Sequence, residues 1–343
     1  MKKTFINILK FIVFFSIGIA LLYFAFKGIN FSTFWESIKG ANYTWVAITL
    51  VVGWVAFLLR AHRWNLLLEP MGYKSDTWSN YHAVAIGYLA NFAFPRIGEI
   101  VRCGTLSKTK NIPVDKLVGT VMTERIIDLV MLFLCLFAVL IIKFDFFGSF
   151  INARVVQPIA LKFQILSGIS YIFWLLAAAF IALTVYLIVV FKQRLKKITL
   201  VKKIGKLAKG ILEGILSVFK MKRKLEFILY TLLIWFMYYL MGYLMFFSLP
   251  ATSHLSPVDG LFILVVGSLG MSAPVQGGFG VFHVIVASAL MLFGISYEDE
   301  GLVYAVITHE SQALLCIVAG SYSFFYLYFA SKKNKNIENT QQQ

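Results

Sequence analysis

Six long apolar stretches constrain this chain more than any other feature: residues 5–26, 42–59, 117–142, 165–191, 225–249 and 302–330. A helix needs ~20 apolar residues to cross the ~30 Å hydrocarbon layer of a bilayer, and each stretch is of that order. Three shorter apolar pieces, 78–95, 259–275 and 279–293, carry Gly, Pro or polar residues near one end. The fold class that follows is all-α, a polytopic membrane helical bundle. Composition agrees: 59% of residues are hydrophobic and 14% charged, whereas soluble domains carry about 25% charged residues. The long runs leave no room for a separate soluble catalytic domain, so residues 1–331 read as one integral membrane domain. Lys2 and Lys3 precede the first run and no small-residue cleavage site follows it, which makes it a retained helix rather than a signal peptide.

The formal net charge of +16 is not a nucleic-acid signature, because the cations lie in the loops between apolar spans. Their distribution also decides how the three short pieces run. If the six long stretches cross and the short pieces enter and leave on one side, segments on the N-terminal side hold 26 of the 32 Lys and Arg. Cytoplasmic loops are the cation-rich ones. If 78–95 crossed fully, segment 192–224, with its 12 cations, would move to the other side. Thus 78–95 is expected to be re-entrant from the cytoplasm and 259–293 re-entrant from outside, with both termini cytoplasmic in the inner membrane. Backbone that enters without crossing is tolerated only where protein or a watery cavity covers its polar groups.

The two broken pieces look alike. One tip reads Phe94-Pro95-Arg96-Ile97-Gly98-Glu99 and the other Ala273-Pro274-Val275-Gln276-Gly277-Gly278. Proline removes a donor and turns the preceding residue away from helix. Matching interruptions in two halves of a chain point to an inverted repeat with a site at mid-membrane depth.

In order, the chain carries Arg60-Ala-His-Arg63-Trp64, Asn91-x-x-x-Pro95-x-x-Gly98-Glu99-x-x-Arg102, Glu124-Arg125-x-x-Asp128 and Pro274-x-x-Gly277-Gly278-x-Gly280. This order and spacing resemble the lysylphosphatidylglycerol synthase transmembrane region, or flippase-like, family, over about residues 5–330. The resemblance implies a membrane bundle and a link to lipids. The family's best-known members flip aminoacylated phosphatidylglycerol between leaflets and carry their synthase as a separate soluble domain. Other members stand alone, some linked to polyprenyl-phosphate sugar pathways, and a stand-alone member is expected here. Two positions depart from the family pattern. His283 follows Gly-Gly-x-Gly where the family often has Glu, and Thr308-His309-Glu310 occupies the last helix where it often has Arg.

Candidate headgroup-binding residues are therefore Asn91, Pro95, Arg96, Gly98, Glu99 and Arg102 at the first tip, and Pro274, Gly277, Gly278 and Gly280 at the second. Glu124, Arg125 and Asp128 join them from within an apolar run. A charge at mid-membrane costs roughly 2.5–3.5 kcal/mol, so such groups face inward and pair. Glu124 and Asp128, four residues apart, share a helix face. They either hold a headgroup or form an internal ion-pair staple. Arg96, Glu99 and Arg102 either dock a phosphate at a helix start or snorkel to the interface. Arg60, Arg63 and Trp64 directly follow the second run and read as interfacial anchors. His283, His309 and Glu310 form a candidate proton-linked group.

No H-E-x-x-H, cysteine cluster, dinucleotide fingerprint or P-loop is present, so neither a metal nor another cofactor is expected. Cys103, Cys135 and Cys316 read as small buried thiols. Residues 195–224 alternate apolar and lysine positions as a basic amphipathic interfacial helix, and the polar tail 332–343 reads as disordered. Three functions fit: a transporter or flippase for an anionic, aminoacylated or polyprenyl-phosphate-linked lipid, a non-transporting partner of a lipid-modifying or glycan-assembly enzyme, or an intramembrane lipid-phosphate enzyme. The partners expected are membrane lipids with anionic headgroups and a membrane enzyme, and no nucleic acid.

Overall fold

The computed structural model describes residues 16, 18–144 and 221–341, with side chains through residue 332. The run 165–191 and most of the amphipathic segment 195–224 lie outside the described residues. The chain divides into two units, residues 1–136 with 218–343, and residues 137–217; apart from the last residues of α5, everything below concerns the first.

Every described element is helical: α1 (Phe31–Lys39), α2 (Tyr43–Leu68), α3 (Thr77–Ala93), α4 (Gly98–Lys110), α5 (Val114–Ile142), α6 (Lys224–Met245), α7 (Pro257–Met271), α8 (Val281–Leu290) and α9 (Leu302–Gln341). Five stretches, Tyr43–Met71, Val114–Ile142, Lys224–Ser248, Gln276–Phe293 and Tyr297–Lys332, are long and apolar enough to cross a membrane. Their surfaces expose large apolar side chains such as Val51, Phe133, Leu232 and Val318, which water would not tolerate in such numbers. Two boundaries differ from expectation. Helix α2 runs on to Leu68 instead of stopping before Arg60. The tail expected to be disordered continues α9 to Gln341, because a helix already nucleated costs little to propagate.

The 78–95 piece becomes the first arm of a hairpin. Asp76 caps α3, its carboxylate accepting from the Ser79 N–H. The helix ends where Phe94, held extended by Pro95, turns the chain. Helix α4 then returns beside α3, and the arms touch at Gly87 and Gly98, where a β-carbon on Gly98 would lie 2.0 Å from the Gly87 carbonyl oxygen. At the open end Lys110 meets Asp76 at 2.5 Å, so the segment finishes where it began. At 1.5 Å per residue α3 spans about 26 Å and α4 about 20 Å, each short of a bilayer core of ~30 Å.

The second hairpin repeats the plan. A Ser256–Asp259 capping box starts α7, the chain breaks over 272–280, and α8 returns. Phe262 and Phe293 meet at the open end, with ring centroids 5.6 Å apart.

Contacts sort the chain into two ends, as the cation count grouped the segments. At one end Arg223 binds Glu69 at 2.6 Å, near His62, which lies 3.4 Å from Glu226, and the Asp76–Lys110 mouth. At the other, the Asn42 N–H donates to the Ser248 carbonyl at 2.8 Å, and Ile29, Leu255 and Ile295 share one core. The first hairpin opens at the first end and the second hairpin at the other.

Candidate functional site

The hairpins meet tip to tip. The Arg96 guanidinium donates to the Ser272 carbonyl, 176 residues away in sequence. Phe92 and Phe279 meet edge to face, centroids 6.0 Å apart, and Phe92 also covers Gly277. Arg96 holds a left-handed backbone with φ 59°, a strained conformation for a residue with a side chain. Asn91 acts on the backbone: its Oδ1 accepts the Gly98 N–H at 2.8 Å, satisfying one of the donors left open where α4 begins. Pro95, Pro274, Gly278 and Gly280 shape the turns, and Gly277 takes φ 56°, which glycine adopts without strain.

Beneath the first tip lies a cluster of ionised groups drawn from α2, α4 and α5. Glu124 is fully buried, and three arginines converge on it: Arg102 in direct contact, Arg63 at 3.6 Å and Arg60 at 4.0 Å. Asp128, one turn on, is 3.0 Å from Arg63 and 3.7 Å from Arg60. Tyr238 and Thr231 on α6 accept from Arg60 at 2.8 Å and from Arg63 at 3.2 Å. Arg102 stacks over Trp64, 4.8 Å from its centroid, and the indole N–H of Trp64 donates to Thr120 at 2.8 Å. Arg125 faces the other way, pairing with Glu99 at 2.7 Å, and both are partly exposed.

Three of these arginines, Arg60, Arg102 and Arg125, border a small open cleft with Glu99, Asn91, Tyr88, Val84, Gly87 and Gly98. Four arginines share three carboxylates here, which leaves one positive charge unmatched among the described residues. The Nε–H groups of Arg60, Arg63 and Arg102 are buried without acceptors. A buried unpaired donor costs ~1–3 kcal/mol or more when charged, and the excess of arginine over carboxylate gives the cluster a net positive charge beside the cleft. Arginine suits anion binding because its planar donors match phosphate and cannot be deprotonated.

One expectation is corrected. Arg60, Arg63 and Trp64 are not interfacial anchors: they are 3%, 0% and 0% exposed. Because α2 continues past residue 59, its arginines one turn apart point into the bundle at Glu124 and Asp128. The signal that could have revealed them was that same spacing, two arginines opposite two carboxylates four apart. Tyr238 and Thr231 carried no sequence signal.

At the second tip a separate group forms. His283 from α8 and His309 and Glu310 from α9 place their ligand-type atoms within 4.8 Å of one another. Sequence spacing could not show this, since the histidines lie on different helices. His309 Nε2 lies 2.8 Å from the Gly277 carbonyl and its Nδ1 3.0 Å from Glu310 Oε1.

No curated protein and no solved structure matches this chain. A family model, however, that of the lysylphosphatidylglycerol synthase TM region, matches residues 7–320, a span that contains both hairpins, the arginine cluster and the histidine pair. The chain thus belongs to the lysylphosphatidylglycerol synthase transmembrane family.

Proposed function

We propose that this protein moves an anionic or phosphate-bearing lipid between the leaflets of the inner membrane. The observation that carries the reading is the charge imbalance of the cleft: four arginines, three carboxylates, and buried guanidinium N–H groups without acceptors. A lipid phosphate would complete that set, with Arg125 and Arg102 as donors and Arg125 exchanging Glu99 for the phosphate. Family membership supports the lipid link, and hairpins opening at opposite ends support a site between two gates. The cation-rich loops, Arg223 and Lys110 among them, favour the mouth of the first hairpin as cytoplasmic, the side proposed for both termini.

The test is translocation of headgroup-labelled lipids in proteoliposomes. Arg125 is partly exposed, so Arg125→Gln removes a phosphate donor without stripping the buried cluster. A charged hydrogen bond is worth about 1.5–3 kcal/mol, so the variant should lose roughly 10- to 100-fold in transport of anionic lipids. Wild-type rates no faster than protein-free vesicles, across phosphatidylglycerol, its aminoacyl esters and prenyl phosphates, would overturn the reading.

A further inference from the structure

We infer that His283, His309 and Glu310 form a proton-binding site that latches the second tip to α9. The argument is a count of hydrogens. Both ring nitrogens of His309 face oxygen acceptors, the Gly277 carbonyl at 2.8 Å and the Glu310 carboxylate at 3.0 Å. A neutral imidazole owns one N–H and one lone pair. With a single hydrogen, one of those two contacts would set a lone pair against an oxygen. With Glu310 ionised, both become hydrogen bonds only when the ring carries a second proton, which makes His309 the imidazolium bridging the tip and the carboxylate.

His283 places that proton more sharply. Its Nε2 lies 3.4 Å from the same Glu310 oxygen, and its Nδ1 is buried without a partner. A charged His283 would bury an N–H with no acceptor, whereas a neutral one donates from Nε2 and buries only a lone pair. Among the described residues, the titratable groups in contact with His309 are His283 on α8 and Glu310 on its own helix. Its other neighbours are the rings of Phe279, at 4.9 Å, and Phe282, at 5.3 Å, which carry no charge. The histidine side chains are 1% and 3% exposed and that of Glu310 is 45% exposed, so the carboxylate is the route by which the proton arrives and leaves. A proton fits the 3.0 Å distance as it stands; a divalent ion would have to enter between the same atoms.

The latch has a mechanical consequence. Gly277 belongs to the tip that touches Phe92 on the first hairpin. When the proton leaves, His309 keeps only one of its two bonds, and the contact with Gly277 competes with that to Glu310. Proton release therefore loosens the second tip where it meets the first, whose residues border the arginine cleft, and makes the proton the coupling ion for headgroup movement. That last step rests on the transport reading above; the proton site itself does not.

The experiment has two arms. In the first, protein with 15N-labelled imidazoles is studied by NMR in lipid nanodiscs at neutral pH with EDTA present, the His309 signals being assigned by their loss in His309→Gln. Wild type should show His309 doubly protonated. In Glu310→Gln, whose amide can donate to Nδ1, His309 should be neutral at the same pH. A neutral His309 in wild type overturns the site, and so does a signal that EDTA shifts and zinc restores, which would make it a metal site. In the second arm, an imposed pH gradient should change wild-type lipid translocation about 5-fold or more and leave Glu310→Gln unresponsive. Translocation indifferent to the gradient overturns the coupling and leaves the transport reading standing. A doubly protonated His309 with no translocation under any gradient overturns the transport reading and leaves the proton site standing.

Discussion

The two hairpins share a plan and differ in the chemistry behind their tips. Each has a capped first arm, a proline-broken tip and a shorter returning arm. Behind the first tip sit arginines and carboxylates, buried and closely paired. Behind the second sit two histidines and one partly exposed glutamate. Guanidinium groups keep their charge at any physiological pH, whereas imidazoles change theirs. The first site can therefore hold an anion constantly, and the second can report a proton.

The sharpest way to break this comparison is to exchange a carboxylate for an amide at each site. Glu124→Gln leaves three buried arginines with only Asp128 to face. Breaking a buried ion pair from one side costs about 3–5 kcal/mol, so thermal unfolding in detergent should show a large loss of stability. Glu310→Gln can still hydrogen-bond His309 at a partly exposed position and should unfold closer to wild type. Equal losses would mean that both clusters are structural staples.

Next in size are the crossings of the hairpin arms. Gly98→Ala forces a β-carbon into the Gly87 carbonyl, backbone against backbone, and should cost at least 1–3 kcal/mol. Gly270→Ala, whose β-carbon would lie 3.1 Å from the Phe282 Cα, should cost less in the same measurement. The reverse order would show that the first hairpin is packed more loosely than described.

The tip contact comes third. Arg96→Ala removes the guanidinium bond to the Ser272 carbonyl and relieves nothing at φ 59°. A loss of about 1 kcal/mol, read as faster hydrogen exchange over 272–278, is expected; unchanged exchange would mean that the tips are held by their aromatic rings alone.

The smallest effect belongs to the mouth of the first hairpin. Partial burial pushes the Asp76 carboxyl up, but hydrogen bonds from Lys110 and Ser79 and the Lys110 charge outweigh it and hold it well below the usual carboxylate range. A depressed carboxyl stabilises the fold above its unfolded value, near 4, and that stability is lost as the pH falls toward the folded value. The pair is largely exposed, so only a few tenths of a kcal/mol should disappear on acidification. Asp76→Asn should flatten that part of the stability–pH curve.

The hairpins were legible because proline and glycine punctuate an apolar pattern locally. Glu124 and Asp128 announced themselves as charges inside an apolar run. Arg60 and Arg63 did not, since a cation just past an apolar run looks like an anchor until its partner on another helix is known. The tip-to-tip contact and the meeting of His283 with His309 join distant parts of the chain, and no local pattern encodes such pairings.

The most direct test of an anion site behind the first tip is lipid retention by the purified protein in native mass spectrometry. Wild type should retain phosphatidylglycerol over uncharged diacylglycerol, and Arg125→Gln should lose that preference while Glu310→Gln keeps it. Retention that is the same for both lipids, or unchanged in Arg125→Gln, would contradict an anion site in the arginine cleft.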